Sequence, residues 1–326
     1  MNIVFLIGNG FDLNLGMKTR YSDFYNYYVT RQSSSSLLQK LKKEIDGDIE
    51  NWSDLELALG EYTKQIDVDQ EFEEVYEDIG DRLAEYLEKV ETDFNFENFE
   101  GKKLYDYFSF PEKSLLPADR NEISTFRNKV GNSPCSVFVI TFNYTRTLEK
   151  LIGYSDKKMD IGKHGPHPIV LQKIEHIHGF TDDRMIMGVN DVSQISNKIF
   201  HGNYKVLDAL IKTNCNQVQK HTIDQWCKSQ IERANLICIF GSSIGDTDNM
   251  WWELIGEQLK KDIKLIIFEK GEKIPQRRLY KKSFIEREKK YYFLEKTKLD
   301  ENEKKNAIGK IFVGITTNMF DLKPNK

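Results

Sequence analysis

The stretch NIVFLIGNG, residues Asn2–Gly10, contains the pattern that decides the fold. Its first part is almost continuously apolar, which is typical of a short strand buried on both faces of a parallel sheet. Gly8 and Gly10 then break the run and indicate a tight turn into a helix, where backbone N–H groups can approach a phosphate. A tight βα turn without any ligand is an equally good interpretation of these glycines taken alone.

Similar short apolar runs recur along the chain and are separated by long helical patterns. We predict clear strands at Ser136–Phe142, Asn235–Phe240 and Ile263–Phe268, and weaker ones at His167–Leu171, Ile174–Ile177, Met185–Gly188 and Ile311–Thr317. Helices are predicted between them, among others at Tyr21–Val29, Phe200–Arg233 and Asp248–Lys260. This alternation predicts an α/β fold with a Rossmann-like parallel sheet and crossover helices.

Residues 35–130 have helical periodicity throughout and predict an acidic, all-helical insertion. Ser53, followed by Glu56, fits a capping box at the start of one of its helices. Charge is unevenly spread: Asp67–Glu100 contains 14 acidic residues, whereas Gln276–Lys290 contains 7 basic ones. Both runs indicate solvated helix faces, although the basic run also suits a phosphate backbone or a partner's acidic surface. Residues 1–34 and 131–326 form the predicted core.

Composition excludes several classes of protein. The net charge is -4, so no global basic field attracts nucleic acid. The four cysteines contain no C-x-x-C pair, which argues against a disulfide scaffold and against a four-cysteine zinc site. No apolar run approaches the roughly 18–20 residues of a membrane span. We therefore expect a cytoplasmic protein with no membrane partner and no nucleic-acid partner.

Ligands of open parallel sheets bind beyond the carboxyl ends of the strands, so residues that follow each predicted strand are candidates. Asn143 follows the second clear strand, where its amide suits a water or a ribose hydroxyl, or the cap of the next helix. His178 ends a later strand and suits a general base, although a structural role is common for a lone histidine. His176 precedes it by two residues, which predicts that both side chains share one face.

The segment Gly241–Asp248, GSSIGDTD, follows the strongest buried strand. Its small hydroxyl residues suit a second phosphate or ribose contact. Asp248 suits either the acceptance of ribose hydroxyls or the cap of the next helix. Trp251 and Trp252 are expected to pack that helix, with room for one of them to line a cleft.

A different class of function is a metal-dependent hydrolase or nuclease. Imidazoles suit zinc, nickel or iron, and the chain clusters histidines in one segment. The candidate ligands are His164, His167, His176 and His178, with Asp182 or Asp183 as an oxygen donor.

Taken in order, these motifs resemble the sirtuin-type dinucleotide fold. Gly8, Gly10 and Gly16 match its glycine loop in identity and spacing, and the later motifs match at Thr141 and Asn143, His178 and Gly179, and Gly241 and Ser243. The sequence departs from sirtuins at Asp12, where sirtuins have serine. It also lacks their four-cysteine zinc ribbon, and a helical segment over residues 180–233 stands in that place. The resemblance therefore implies a sirtuin-like nucleotide-binding core without deacylase activity.

A narrower resemblance is to the AbiH family of bacterial abortive infection proteins. It rests on the glycine loop together with Trp52–Glu56, Thr141–Thr145, Ile177–Gly179 and Gly241–Asp248. This resemblance implies phage defence. Sirtuin-like domains of other phage-defence proteins that lack the zinc module hydrolyse NAD, so the resemblance implies an NAD glycohydrolase with NAD as substrate or ligand and without zinc.

The resemblance assigns each candidate residue a part in this reaction. Asn143 and His178 would be catalytic. The residues implied in cofactor binding are Gly8, Asn9, Gly10, Asp12, Gly16, Thr141, Gly241, Ser242, Ser243 and Asp248. The expected partner is a nucleotide, and the resemblance leaves room for a phage-derived trigger and a homo-oligomer. A non-catalytic module that senses a nucleotide or a phage component is the main alternative.

Overall fold

The computed structural model of this chain describes residues 1–130, 134–271, 274–315 and 321–323. Within these ranges one sheet contains seven strands. In chain order they are β1 (Asn2–Ile7), β2 (Cys135–Thr141), β3 (Met159–His164), β4 (His167–His176), β5 (Leu236–Phe240), β6 (Lys264–Glu269) and β7 (Ile311–Ile315).

Helices fill most of the chain between the strands. Before β2 they are α1 (Gly10–Leu15), α2 (Tyr21–Tyr28), α3 (Ser36–Gly47), α4 (Leu55–Tyr62), α5 (Asp69–Asp93), α6 (Lys103–Ser109) and α7 (Pro117–Val130). After β2 they are α8 (Thr147–Ile152), α9 (Tyr204–Leu210), α10 (Lys212–Val218), α11 (Ile223–Glu232), α12 (Asn249–Gln258), α13 (Tyr280–Glu295) and α14 (Glu301–Ala307). Among the described residues, no helix has the length and apolar composition needed to cross a membrane.

The sheet has the strand order β3-β4-β2-β1-β5-β6-β7. All neighbouring pairs are parallel except β3 and β4, which form an antiparallel hairpin at one edge. The chain winds outward from β1 first through β2 and β4, and then in the other direction through β5, β6 and β7. The winding therefore reverses between β1 and β5, and such a switch point leaves a crevice beyond the strand ends.

The register of the sheet aligns the strand ends that precede the candidate motifs. Ile7 at the end of β1 lies opposite Thr141 of β2 and Phe240 of β5. Thr141 in turn lies opposite His176 at the end of β4. The segments that begin after these four residues therefore all emerge at the same edge of the sheet.

Both faces of the central strand are buried, as its continuous apolar sequence predicts. Ile3, Phe5 and Ile7 face one core, which α6, α7 and α8 cover. Val4 and Leu6 face the opposite core, which α11, α12 and α13 cover. The result is a three-layer α/β arrangement with helices on both sides of the sheet.

A third apolar core lies outside these layers. It joins the side chains of α2, α3, α4 and α5 to those of α9, to Ile211 just before α10, and to the loop around Met187. Tyr76 of α5 also donates a hydrogen bond of 2.8 Å to the carbonyl of Met187. This core brings the start of α10 close to α4, although the two helices are far apart in sequence.

Several predicted elements differ from the observed ones. His167–Leu171 and Ile174–Ile177 form one strand, β4, and the predicted Phe200–Arg233 helix is divided into α9, α10 and α11. Met185–Gly188 is an irregular segment, because a short buried apolar run occurs in packed loops as well as in strands. The edge strand β3 was missed, since only Ile161 is buried in it and its sequence has little apolar patterning. The last two residues of predicted Ile311–Thr317 lie outside the described residues.

Candidate active site

A cleft of about 1200 Å³ opens beyond the carboxyl ends of β1 and β5. The loop after β1 and the loop after β5 form two of its walls. Other parts of the lining come from α4 and the segment before it, from the start of α2, from residues after β2 and β4, from the end of β6 and the residues after it, and from α13. The candidates that line it are Gly8, Asn9, Gly10, His178, Gly241, Ser242, Ser243 and Asp248. The sheet's switch point and most of the sequence candidates therefore coincide in one place.

The glycines of the two loops allow their backbones to touch. Gly8 N–H donates to the carbonyl of Phe240 at 2.9 Å, and Gly10 N–H donates to the carbonyl of Gly241 at 2.7 Å. A Cβ atom on Gly10 would lie 2.5 Å from the Cα of Gly241, which itself has a φ of +68°. The two predicted phosphate donors are thus already engaged, so this glycine pair serves loop contact and not a phosphate cradle.

Asn9 has a structural task in the same loop. Its Nδ2 donates to the carbonyl of Thr19 at 2.7 Å, and its Oδ1 accepts from the Thr19 hydroxyl at 2.6 Å. Gly16 ends α1 with a φ of +95° and lies away from the cleft lining. Of the three glycines that match the sirtuin-type loop, two therefore shape the cleft and the third ends a helix.

Asp12 lies beneath the loop and is buried. Its Oδ2 accepts from the Thr145 hydroxyl, and its Oδ1 has no hydrogen-bond partner. Burial raises the pKa of Asp12 to about 6, and the hydroxyls of Thr145 and Thr147 only partly oppose that rise. Asp12 is therefore placed to support the loop from below and not to contact a ligand in the cleft.

Thr141 and Asn143 also lie behind the cleft wall and do not line it. The Thr141 hydroxyl accepts from the N–H of Asn143 at 3.1 Å, and the carbonyl of Asn143 lies 2.7 Å from Nδ1 of His176. Asn143 is not a helix cap either, because α8 begins only at Thr147. This placement does not favour the predicted contact between the Asn143 amide and a ribose or water.

His176 and His178 have different surroundings, contrary to the prediction of a shared face. The strand β4 ends at His176, which is buried and has Nε2 2.7 Å from Oε1 of Glu149. His178 lies in the turn beyond the strand, lines the cleft, and packs against the rings of Phe142 and Tyr144. Because β4 ends at His176, this histidine stays buried in the protein, whereas His178 lies beyond the strand and faces the cleft.

Asp248 is the charged partner of His178. Its Oδ1 lies 3.1 Å from Nε2 of His178 in a close electrostatic contact that is misaligned for a hydrogen bond. The same oxygen accepts from Nζ of Lys212 at 2.8 Å. Asp248 occupies the residue before α12, but its side chain makes no capping hydrogen bond. Burial raises the pKa of Asp248, yet Lys212 and His178 outweigh it and hold this pKa well below its usual range.

Lys212 of α10 and Glu56 of α4 complete the group, and sequence reasoning missed both as site residues. Nζ of Lys212 donates to Oε2 of Glu56 at 2.8 Å, with both side chains buried. Burial lowers the pKa of Lys212, but the carboxylates of Asp248 and Glu56 outweigh it and shift this pKa upward. The only sequence signal was the Trp52–Glu56 motif, which contains Glu56 but does not indicate its partner.

The predicted capping box at Ser53 was placed one residue too early. The cap of α4 is Asp54, whose Oδ1 accepts from the N–H of Leu57 at 3.2 Å. Glu56 is therefore not the reciprocal partner of a capping serine. Its carboxylate points inward, which makes it available to Lys212.

The loop after β5 is held firmly from outside the cleft. Ile244 is buried with a φ of +58°, a conformation that is strained for a β-branched residue. Its N–H donates to the Ser242 hydroxyl at 3.0 Å, and the indole of Trp252 donates to the Gly245 carbonyl at 2.9 Å. Trp251 and Trp252 are both buried and neither lines the cleft, so they support the loop from the helix side.

The histidines of the metal hypothesis do not converge. His164 and His167 face each other where β3 turns into β4, at the opposite end of β4 from His176. Asp182 forms an ion pair of 2.7 Å with Arg146. Across the described ranges, no group of three or more His, Cys, Asp or Glu side chains is arranged to hold a metal ion.

Comparison with known proteins adds a family assignment. A search of curated proteins found no match. The family model described as bacteriophage abortive infection AbiH matches residues 4–269, a range that includes most of β1, all of β2 to β6 and every candidate site residue. This chain belongs to the AbiH family, which implies a role in abortive infection by bacteriophage.

Proposed function

We propose that this protein binds NAD in the cleft and hydrolyses the bond between nicotinamide and ribose. The observation that carries the proposal is the position of His178, whose imidazole lines the cleft beyond the switch point and lies 3.1 Å from Asp248. Dinucleotides bind to open parallel sheets at such switch points. A histidine in close electrostatic contact with a carboxylate at the wall of a cleft is well suited to act as a general base.

The topology supports a dinucleotide ligand. Six strands of the sheet run parallel to one another: β1, β2, β4, β5, β6 and β7. If these six are renumbered 1 to 6 in chain order, they lie side by side in the order 3-2-1-4-5-6, which is the order of doubly wound dinucleotide-binding sheets. The cleft of about 1200 Å³ exceeds the roughly 300–1,000 Å³ that is usual for small-molecule sites. It therefore has room for two nucleosides joined by a pyrophosphate.

The lining offers suitable groups for each part of NAD. Arg20, Lys270 and Lys289 bring positive charge to the cleft. Lys289 already forms a 2.6 Å ion pair with Glu269, so we assign the pyrophosphate to Arg20 and Lys270. Because the amides of Gly8 and Gly10 are engaged, we assign the remaining phosphate or ribose contacts to Ser242 and Ser243 instead. Carboxylates and aromatic rings elsewhere in the lining suit ribose hydroxyls and the two bases.

The reaction needs a placed water and a base more than it needs an acid. The C–N bond breaks with its electron pair on nicotinamide, which leaves as a neutral base because its ring is cationic in NAD. The ribose carbon becomes oxocarbenium-like and water adds to it. Since Nε2 of His178 faces Asp248, a proton on Nε2 leaves Nδ1 as the basic nitrogen that takes the proton from water. That proton then passes to solvent.

Asn143 has an indirect role in this proposal. It lies one layer behind the wall, between Thr141 and His176. We assign it to the positioning of the segment that leads to His178, and not to direct contact with ribose.

The test is nicotinamide release from NAD by the purified full-length protein. We expect His178→Ala to lower the rate by at least about 10²-fold, because loss of a general base typically has that effect. His167→Ala is the matched control, since it removes another imidazole at the far end of β4 and should leave the rate unchanged.

The remaining outcomes separate the proposal from its alternative. Equal release by wild type and His178→Ala would contradict the assigned base. A melting temperature raised by NAD without any release would favour a non-catalytic nucleotide sensor. Neither release nor stabilisation would remove NAD as the ligand.

A further inference from the structure

Four ionisable side chains, three of them buried and one, Asp248, partly buried, form a row that reaches from the helical region to His178. Glu56 comes from α4, Lys212 from α10, Asp248 from the loop after β5 and His178 from the turn after β4. Nζ of Lys212 lies 2.8 Å from Oε2 of Glu56 and 2.8 Å from Oδ1 of Asp248. The same Oδ1 lies 3.1 Å from Nε2 of His178. Asp248 is therefore shared between two groups that compete for its negative charge.

Other titratable side chains also lie close to this row of four residues. The Tyr144 hydroxyl lies 3.4 Å from Oε1 of Glu56 and donates to the carbonyl of Ile186 at 2.9 Å. Asp54 and Tyr21 lie along the same wall of the cleft. Burial raises the pKa of both, and the carboxylate of Glu56 adds to that rise. Among the described residues, Lys212 is the cation in direct contact with both Glu56 and Asp248.

We propose that Lys212 and Glu56 are positioning residues that set the protonation of His178 through their opposite effects on Asp248. This inference rests on the assignment of His178 as the base. The ammonium of Lys212 opposes a proton on His178, because both would be cations on one carboxylate oxygen. The carboxylate of Glu56 partly neutralises the ammonium of Lys212, which weakens the effect of Lys212 on Asp248 and so favours the protonated form of His178. The helices α4 and α10 thereby control the strength of the base.

The magnitudes follow from the distances. Lys212 Nζ and His178 Nε2 contact one oxygen and are therefore within about 6 Å of each other, where an effective dielectric constant of about 20 gives a strong interaction. We expect Lys212→Met to raise the pH midpoint of the His178 titration by about one to two units. Glu56 acts through its contact with Lys212, one step further along this row of side chains, so Glu56→Gln should lower the midpoint by a smaller amount, about half a unit to one unit.

The experiment is an NMR titration of the full-length protein labelled with ¹³C at the histidine ring. His178→Gln assigns the signal by its disappearance. Lys212→Met and Glu56→Gln are each titrated, followed by the double variant, which removes a positive and a negative charge together. Because the two shifts are opposite but unequal, its midpoint should lie between those of the single variants, about half a unit to one unit above wild type. The readout needs no turnover, so the inference can fail or succeed whether or not NAD is hydrolysed.

Opposite shifts in the two single variants, with an intermediate midpoint in the double variant, would support the inference. Shifts in the same direction, or midpoints within about 0.2 pH units of wild type, would overturn it. If Lys212→Met does not fold, Lys212→Arg keeps the charge and should keep the midpoint, while Glu56→Gln still tests the sign. Where NAD is hydrolysed, the acid limb of the rate profile should move in the same directions.

Discussion

The contact between the loops after β1 and β5 can be tested with a single methyl group. Gly10→Ala would place its Cβ 2.5 Å from the Cα and 2.8 Å from the carbonyl oxygen of Gly241. Both neighbours are backbone atoms, so no side chain can rotate away to relieve the clash. The loops must separate, and the 2.7 Å hydrogen bond from Gly10 N–H to Gly241 is lost with them.

Two effects determine the size of the loss. Overpacking of a rigid interior contact costs about 1–3 kcal/mol, and one lost backbone hydrogen bond adds about 1 kcal/mol. We therefore expect Gly10→Ala to lower the free energy of unfolding by about 2–4 kcal/mol. NAD-dependent stabilisation should weaken as well, since the two cleft walls no longer meet.

Urea unfolding followed by circular dichroism measures this difference. Gly80→Ala is the matched control because Gly80 lies within α5 and a Cβ there would meet nothing within 4 Å. The same substitution should stabilise the protein at that position by about 0.5–1 kcal/mol, as alanine replaces glycine inside a helix. If Gly10→Ala proved as stable as wild type, the loop contact would not be as tight as described.

Two further predictions concern buried charges. The pKa of Asp12 is raised to about 6 by burial, so the protonated side chain stabilises the fold fully below about pH 4, and this stabilisation is lost as the pH rises through 6. Measured against Asp12→Asn by urea unfolding, the free energy of unfolding of the wild type should fall by about 3 kcal/mol between pH 4 and pH 8. A difference between the two proteins that does not change with pH would refute this. Arg127 donates to both carboxylate oxygens of buried Glu112. Arg127→Leu leaves that carboxylate buried without its partner and should lower the free energy of unfolding by about 3–5 kcal/mol, whereas the double variant with Glu112→Leu should lower it much less. Equal decreases in the single and the double variant would show that the pair is not coupled.

The centre of the fold could be predicted from local sequence because its strands are uniform. The apolar run in Asn2–Gly10 predicts a strand with two buried faces, and β1 has this environment. The edge strand β3 has no such signal, because solvent covers much of it. Burial, and not strand conformation itself, produces the pattern that sequence reasoning detects.

The candidate site was predicted only where its residues lie in segments that follow a strand. His178 lies in the turn after β4 and Asp248 in the loop after β5, and both line the cleft. Glu56 and Lys212 lie 156 residues apart, and no periodicity or motif relates two such positions. The different surroundings of His176 and His178 depend on the single residue at which β4 ends, a precision that sequence patterns do not reach.

The central position of β1 has a consequence for synthesis of the protein. Ile3 pairs with Val137 of β2 on one side and with Leu236 of β5 on the other, so β1 gains its second neighbouring strand only long after β1 itself has been translated. At about 5–20 residues per second, β1 waits at least about ten seconds on the ribosome before β5 can join it. Asp248 emerges later still. A nascent chain therefore has no complete cleft until residues well beyond Asp248 have been translated, so the proposed reaction could not begin before that point in synthesis.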